Sequence, residues 1–213
     1  MAGRANVDGM THLDVAAPVL DRQVDRLVAL GYPDLAGLSE EGFRALAEPL
    51  RPLVPEADGP VPFLLVVRST LVPTVAAVER WTVGGKTGWT DMADELAGFR
   101  PTEDVEVPDA DLYLLTGVST GPETLGVTPA DALARITDAG RTPLTIDEGV
   151  ALVTHHPGVF EEHNAFQALG SRADNKRIPS FWVSKGAPRL GWCWLNNPHS
   201  WLGSASAEGR LAA

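Results

Sequence analysis

The sequence has 213 residues, of which 44% are hydrophobic and 21% are charged, and these fractions are typical of a globular protein. Its net charge of −11 argues against non-specific nucleic-acid binding, which depends on neutralising phosphates. The single cysteine excludes an intrachain disulfide and indicates a reducing compartment. The longest apolar run, at residues 61–67, is too short to cross a membrane, and the N-terminus lacks a secretory signal. We therefore expect a soluble, cytoplasmic protein.

The charges are unevenly distributed along the chain. Residues 91–162 hold 15 acidic and 3 basic side chains, whereas residues 163–213 hold 6 basic and 2 acidic ones. We expect the basic segment to dock against the acidic one, with local contact to nucleic acid as the alternative.

Two helices are predicted in the N-terminal part, after residues 1–17, which we expect to be flexible. The first helix spans residues 18–30 and has an apolar face. The second spans residues 40–50, with Ser39 as its N-cap. Four prolines then predict an internal loop at residues 52–62.

Two continuous apolar runs, residues 63–67 and 112–118, predict strands that are buried on both faces. Residues 72–83 fit a helix and a strand equally well, and residues 91–96 fit a short helix.

A phosphate-binding loop is suggested by Gly85-Lys86-Thr87, but the motif also needs a glycine five residues before Gly85. That position holds Arg80. The segment is therefore interpreted as an exposed turn.

A pair of helices is predicted in the middle of the chain. The first begins after the N-cap Thr128, and the second begins at a capping box formed by Thr145 and Glu148 and ends near His155. The neighbouring carboxylates Asp147 and Glu148 could indicate acid–base chemistry, but the capping box explains them by a structural role.

A C-terminal β-hairpin is predicted from strands at residues 178–184 and 189–194, joined by a longer loop at residues 185–188. Helices come early and midway, and strands lie between and after them, an order that favours an α+β fold. We predict one globular domain over residues 1–213, with N-terminal helices, a small mixed or antiparallel sheet, a central helix pair and this hairpin.

The hairpin region concentrates aromatic and basic side chains, since four of the six tryptophans lie within twenty residues. Because indole rings bury a large area, we expect most of these tryptophans to be shielded, by the core or by a partner. The structural interpretation is a hairpin that carries the core. The functional one is a ligand site formed by aromatic walls and convergent polar groups, with the residues Arg177, Trp182, Arg189, Trp192, Trp194, Asn197, His199 and Trp201.

The loop at residues 116–121 follows a predicted strand, and its Ser119 and Thr120 could contribute to the same site. The alternative is a turn that needs glycine conformations, because the spacing is not that of a dinucleotide-binding motif.

An alternative chemistry depends on Cys193 and His199 as a nucleophile pair, or on His163, Cys193 and His199 as metal ligands. The structural interpretation is a buried, inert thiol between two tryptophans, with hydrogen-bonded imidazoles.

Five runs carry a resemblance to known proteins: residues 114–121 (LLTGVSTG), 141–149 (RTPLTIDEG), 178–184 (IPSFWVS), 191–194 (GWCW) and 197–203 (NPHSWLG). In these runs the chain resembles a family of bacterial proteins that is known only as a domain of unknown function. The likeness extends from about residue 18 to the end. It implies a soluble bacterial protein and brings no catalytic residues with it.

Since every catalytic motif fails, the favoured hypothesis is a non-catalytic module that binds a small molecule or a protein through the hairpin and the loop at residues 116–121. We expect no cofactor, no membrane contact and no nucleic-acid partner. The alternative is a small metal-assisted or thiol-dependent enzyme centred on Cys193 and His199.

Overall fold

The computed structural model describes residues 13–55, 61–160 and 165–213. Its helices are α1 (Leu13–Ala29), α2 (Tyr32–Leu35), α3 (Glu40–Ala47), α4 (Thr74–Val78), α5 (Pro129–Asp138) and α6 (Ile146–His155). Single-turn to two-turn 3₁₀ helices occupy Glu48–Leu53, Ala93–Gly98, Pro122–Thr124 and Pro157–Phe160.

Its strands are β1 (Phe63–Val67), β2 (Thr82–Val83), β3 (Lys86–Thr87), β4 (Trp89–Thr90), β5 (Arg100–Pro101), β6 (Leu112–Thr116), β7 (Thr142–Pro143), β8 (Ala165–Gln167), β9 (Ser171–Arg172), β10 (Arg177–Ser184), β11 (Ala187–Trp194), β12 (Leu202–Ser204), β13 (Ser206–Ala207) and β14 (Gly209–Leu211). Helices and several small sheets share one chain, so the predicted α+β class is confirmed.

A three-stranded antiparallel sheet in the order β1-β6-β14 forms the centre of the core. Every residue of β1 and the first four of β6 are buried, as the two apolar runs predict. Because both faces of this sheet are covered, the strands are apolar throughout rather than alternating. The predicted strand 112–118 ends two residues earlier, at Thr116.

A five-stranded sheet in the order β12-β8-β10-β11-β4 contains the predicted hairpin. Phe181 and Leu190 face each other across it and are fully buried in the core. The predicted four-residue loop is wrong, because the strands continue to a two-residue turn. Lys185 and Gly186 both have positive φ, 55° and 77°, which matches the right-handed twist of a hairpin.

The capping predictions for the central helices are confirmed. The Thr128 hydroxyl accepts from the Asp131 N–H at the start of α5, and Thr145 and Glu148 form a complete capping box at the start of α6. Asp147 accepts hydrogen bonds from the backbone and hydroxyl of Ser69, which fits its structural interpretation.

The N-terminal helix boundaries differ from the prediction. Helix α1 begins at Leu13, five residues before the expected start, and part of the segment 1–17 lies outside the described residues. Ser39 caps α3 as predicted, but α3 gives way to a 3₁₀ helix that ends at Leu53. Prolines cannot donate to the α-helical ladder, which accounts for the change. The predicted loop therefore begins later, and residues 56–60 lie outside the described part.

The structure decides the two segments with ambiguous or weak signals, residues 72–83 and 91–96. Residues 72–83 contain both a helix, α4, and the strand β2. The predicted helix at residues 91–96 is a 3₁₀ helix shifted to Ala93–Gly98. Of the suspected phosphate motif, Gly85 lies in the two-residue turn Gly84-Gly85, whereas Lys86 and Thr87 form strand β3, so the interpretation as an exposed turn is correct for Gly85 only.

Candidate binding face

The hairpin divides the predicted site residues between its two faces. Residues that lie opposite each other in an antiparallel pair project from the same face. The register pairs Arg177 with Trp194, whereas Trp182 pairs with Arg189, five residues further along β10 and therefore on the other face. The predicted residues thus form two separate groups rather than one site.

The first group, the Arg177 cluster, consists of Arg177, Trp192, Trp194 and Glu95. The Arg177 guanidinium lies 4.1 Å from the centre of the Trp192 ring and 5.7 Å from that of Trp194. It also forms an ion pair with Glu95 on the 3₁₀ helix Ala93–Gly98. Because one cation serves two rings and a carboxylate, the cluster fastens that helix to the open end of the hairpin.

The second group, the indole ladder, consists of Trp89, Arg189, Trp182 and Trp201. Strand β4 pairs in parallel with β11 and places Trp89 beside Arg189. The Arg189 guanidinium is 4.6 Å from the centre of the Trp89 ring and 4.7 Å from that of Trp182, so it lies between two indoles. Both oxygens of Asp91 lie within 2.7 Å of one Arg189 nitrogen, and this ion pair neutralises the half-buried guanidinium and lowers the pKa of Asp91.

The ladder continues from the sheet into the segment that follows β11. Trp201 meets Trp182 edge-on at 6.3 Å, and His199 meets Trp201 at 5.2 Å. The Asn197 amide nitrogen lies 3.4 Å from Nε2 of His199. Beneath this arrangement lies Gly191, where a Cβ would stand 2.2 Å from the Trp182 ring. Glycine is required there for the ring to lie flat on the sheet.

A cleft of about 230 Å³ opens beside Trp201. Its lining combines four apolar residues with two hydroxyls and one glycine, and none of them is charged: Thr120, Pro122, Leu125, Ala165, Ser200, Trp201 and Gly203. The flanking side chains of Leu125 and Trp201 are each 45% exposed. As far as the described residues line it, the cleft is therefore an uncharged, partly apolar opening at the end of the indole ladder.

Glycines bring the predicted loop 116–121 to this cleft. A Cβ on Gly121 would lie 2.1 Å from the Ser204 carbonyl oxygen, and one on Gly203 would lie 2.4 Å from the carbonyl oxygen of Thr120. Gly121 also has φ of 76°, a conformation that glycine adopts at little cost. Ser119 holds this turn, since its hydroxyl accepts from the Gly121 N–H at 3.1 Å. The loop thus needs glycine conformations, and it also places Thr120 in the cleft.

The expectation that the tryptophans are shielded holds only in part. Trp182 and Trp192 are half-buried, but Trp194 is 47% exposed and Trp201 is 45% exposed. The interpretation of the hairpin as a carrier of the core is correct for Phe181 and Leu190 and wrong for those two rings. Arginine side chains lie over four of the indoles, Arg177 over Trp192 and Trp194 and Arg189 over Trp89 and Trp182, because the planar guanidinium stacks on aromatic faces. Trp201 is contacted by Trp182 and His199 instead.

Sequence reasoning missed Trp89 and Leu125. No local signal marks Trp89, because it enters the ladder through a parallel pairing with a strand about 100 residues later in the chain. Leu125 follows the short 3₁₀ helix Pro122–Thr124 and is exposed, so it belongs to no apolar period. The only signal for Leu125 is the exposure of a large apolar side chain beside a tryptophan, and this proximity is visible only in the three-dimensional structure.

The described residues of the alternative chemistry, Cys193 and His199, make separate contacts. Burial raises the pKa of the Cys193 thiol, and a hydrogen bond with Ser180 opposes that effect only partly. His199 contacts Trp201 and Asn197, and no hydrogen bond joins it to Cys193 in the described part of the chain. His163 lies outside the described residues. Within them, no three histidine, cysteine or acidic side chains are grouped to hold a metal ion.

We expect Cys193 to be a slow thiol. Iodoacetamide at pH 7.5 should alkylate it at least about tenfold more slowly in the folded protein than in urea, because a raised pKa leaves little thiolate. Mass spectrometry of time points would measure both rates. Equal rates in the two states would instead support the thiol-dependent alternative.

The expected docking of the basic segment on the acidic one is confirmed. Four ion pairs join residues 163–213 to residues 91–162. In three of them the C-terminal segment supplies the cation, namely Arg177–Glu95, Arg189–Asp91 and Arg210–Glu148, and in the fourth Arg141 pairs with Glu208. Two of these pairs lie in the Arg177 cluster and the indole ladder. Arg177 and Arg189 thereby help to build the hairpin surface.

Comparison with known proteins places the chain in a family. None of the helices within residues 13–55, 61–160 and 165–213 is long and apolar enough to span a membrane. No curated protein and no solved structure matches the sequence. A family model matches residues 26–213, close to the range over which the resemblance was expected. The chain therefore belongs to the family of unknown function DUF5701.

Proposed function

We propose that this chain is a non-catalytic protein-interaction module, which receives an uncharged apolar side chain of a partner protein in the cleft between Leu125 and Trp201. The observation that carries the proposal is the exposure of these two large side chains in the lining of an opening whose described residues are uncharged. Tryptophan is enriched among the residues that dominate binding energy in protein interfaces. Such residues commonly lie next to a pocket that accepts an anchor from the partner.

The size of the cleft favours a side chain over a free small molecule. Clefts for small molecules are typically about 300–1,000 Å³ and enclose most of the ligand, whereas this one holds about 230 Å³ and is open. A single leucine or aromatic side chain fits that space, and the remaining contacts would come from the surrounding surface.

The indole ladder supports binding by fixing one wall of the cleft in advance. Trp201 rests against Trp182, which in turn is held between Gly191 and Arg189. A ring that is already ordered loses little conformational entropy on binding, so more of the contact energy contributes to affinity. The lining residues of the cleft that the structure describes carry no ionisable group, which is consistent with binding without catalysis.

A displayed library of random peptides, selected on the purified chain, tests the proposal. We expect the selected peptides to share an aliphatic or aromatic anchor. Trp201→Ala should weaken the binding of a selected peptide by about thirtyfold or more, the effect of losing a dominant interface residue. Isothermal titration calorimetry would measure the affinities.

Trp194→Ala is the matched control, because Trp194 is equally exposed but belongs to the Arg177 cluster on the other face of the hairpin. It should leave the affinity within about threefold, as is usual for residues outside the binding centre. Circular dichroism would establish that both variants fold. Peptides that bind Trp201→Ala as well as the original chain would refute the proposal, as would peptides whose binding depends on Trp194.

A further inference from the structure

Two arginines face each other across the small antiparallel sheet β5–β9. The register pairs Arg100 directly with Arg172. Side chains in such a pair project from the same face, with Cβ atoms about 4.5–5.5 Å apart, and like charges placed there are destabilising. A direct pair of cations therefore needs an anion or some other compensation.

No carboxylate of the described residues provides that compensation. The other arginines of the C-terminal segment are paired, as Arg177 is with Glu95 and Arg189 with Asp91. Neither Arg100 nor Arg172 takes part in an ion pair in residues 13–55, 61–160 and 165–213. The Nε atom of Arg172 is, in addition, buried without a hydrogen-bond partner among these residues. A buried donor of this kind lowers stability unless some group accepts a hydrogen bond from it.

We infer that Arg100 and Arg172 form a binding site for a phosphate group, either free inorganic phosphate or the phosphate of a monoester. The guanidinium group presents its donors in a rigid fork that matches phosphate oxygens. Two guanidinium groups also balance the charge of about −1.5 to −2 that such a phosphate carries at pH 7. A single carboxylate would neutralise only one of the two cations.

The site is independent of the proposed protein-interaction cleft. Arg100 and Arg172 belong to β5 and β9, and neither is among the residues that line the cleft. Arg100 is exposed and Arg172 is half-buried, so an anion can reach the pair from solvent.

Thermal unfolding in phosphate tests the inference. Wild-type protein is melted in a zwitterionic buffer with chloride and in the same buffer with millimolar inorganic phosphate at equal ionic strength. We expect phosphate to raise the Tm by about 3 °C once its concentration exceeds the dissociation constant about fivefold. Arg100→Gln and Arg172→Gln should each abolish this shift. Arg135→Gln, at an exposed position on α5, is the control and should retain it.

A second measurement keeps the test valid if one variant is less stable. In the chloride buffer at low ionic strength, Arg100→Gln should melt no lower than the wild type, because it relieves repulsion and leaves an exposed residue polar. A phosphate shift that persists in both glutamine variants would overturn the inference, because it would show a general effect of the salt. An equal shift with acetate would overturn the assignment to phosphate.

Discussion

Replacing Arg210 by methionine is expected to lower the free energy of unfolding by about 3–5 kcal/mol, the cost of leaving one member of a buried ion pair without its partner. The Arg210 side chain is 7% exposed and Glu148 is not exposed at all. Their two contacts, Nε to Oε1 at 2.5 Å and Nη2 to Oε2 at 2.8 Å, form a fork. Without Arg210, the buried Glu148 carboxylate would lose the cation that compensates its burial.

Further hydrogen bonds make this pair a junction between distant parts of the chain. The Tyr113 hydroxyl donates to Glu148 at 2.8 Å, and the Thr145 N–H donates to it at 2.7 Å. Burial, together with the negative charge of Glu148, raises the pKa of Tyr113, so the hydroxyl remains a donor. Arg210 also donates to the Thr142 hydroxyl at 2.8 Å. The last strand, β14, is thereby tied to β6 and to the start of α6.

Urea unfolding followed by circular dichroism measures this effect. Glu148→Gln should be destabilised to a similar extent. The double variant Glu148→Gln/Arg210→Met should lose less free energy of unfolding than the sum of the two single variants, because the double variant leaves no unpaired buried charge at either position. Arg44→Met is the control, since Arg44 forms its ion pairs on the surface, and it should unfold at the wild-type midpoint. If Arg210→Met lowered the free energy of unfolding by less than about 1 kcal/mol, the Arg210–Glu148 pair would contribute no more stability than an ion pair on the surface.

This junction also marks how far sequence reasoning can reach. Thr145 and Glu148 were predictable as a capping box because the two residues lie one helical turn apart. The role of Arg210 was not predictable, because it depends on the placement of β14 beside β6, 62 residues away from Glu148. Local hydrogen-bond chemistry appears in spacing, whereas a long-range ion pair appears only once the sheet order is known.

The same distinction applies to the candidate binding face. The hairpin was predictable from its apolar strands, but the length of its turn was not, because Pro188 suggested a loop where the strand in fact continues. The concentration of tryptophans correctly drew attention to the region. It could not show that alternate residues lie on opposite faces of the hairpin with different neighbours. Nor could it show that Trp89 packs on Arg189 or that Leu125 lines the cleft with Trp201.

The outer edge of β1 is protected by side chains rather than by another strand. Gln23 on α1 accepts from the Leu65 N–H at 2.6 Å and donates to the Phe63 carbonyl oxygen at 3.1 Å, as a neighbouring strand would. His155 adds a hydrogen bond from Nε2 to the Leu65 carbonyl oxygen at 2.9 Å. Burial lowers the pKa of His155 to about 3, so the ring stays neutral near pH 7. An edge strand left open would expose unpaired backbone groups.

Gln23→Met is expected to lower the free energy of unfolding by about 2–6 kcal/mol, since it leaves two buried backbone groups unpaired at about 1–3 kcal/mol each. Methionine has nearly the same length and shape as glutamine, so a cavity would contribute little. Arg22→Met is the control, because Arg22 immediately precedes Gln23 on the same helix and is exposed. It should change the free energy of unfolding by less than about 0.5 kcal/mol. Equal stability of the two variants would mean that water reaches the edge of β1. A loss confined to Gln23→Met, seen by urea unfolding, would identify the glutamine amide as the substitute for a missing strand.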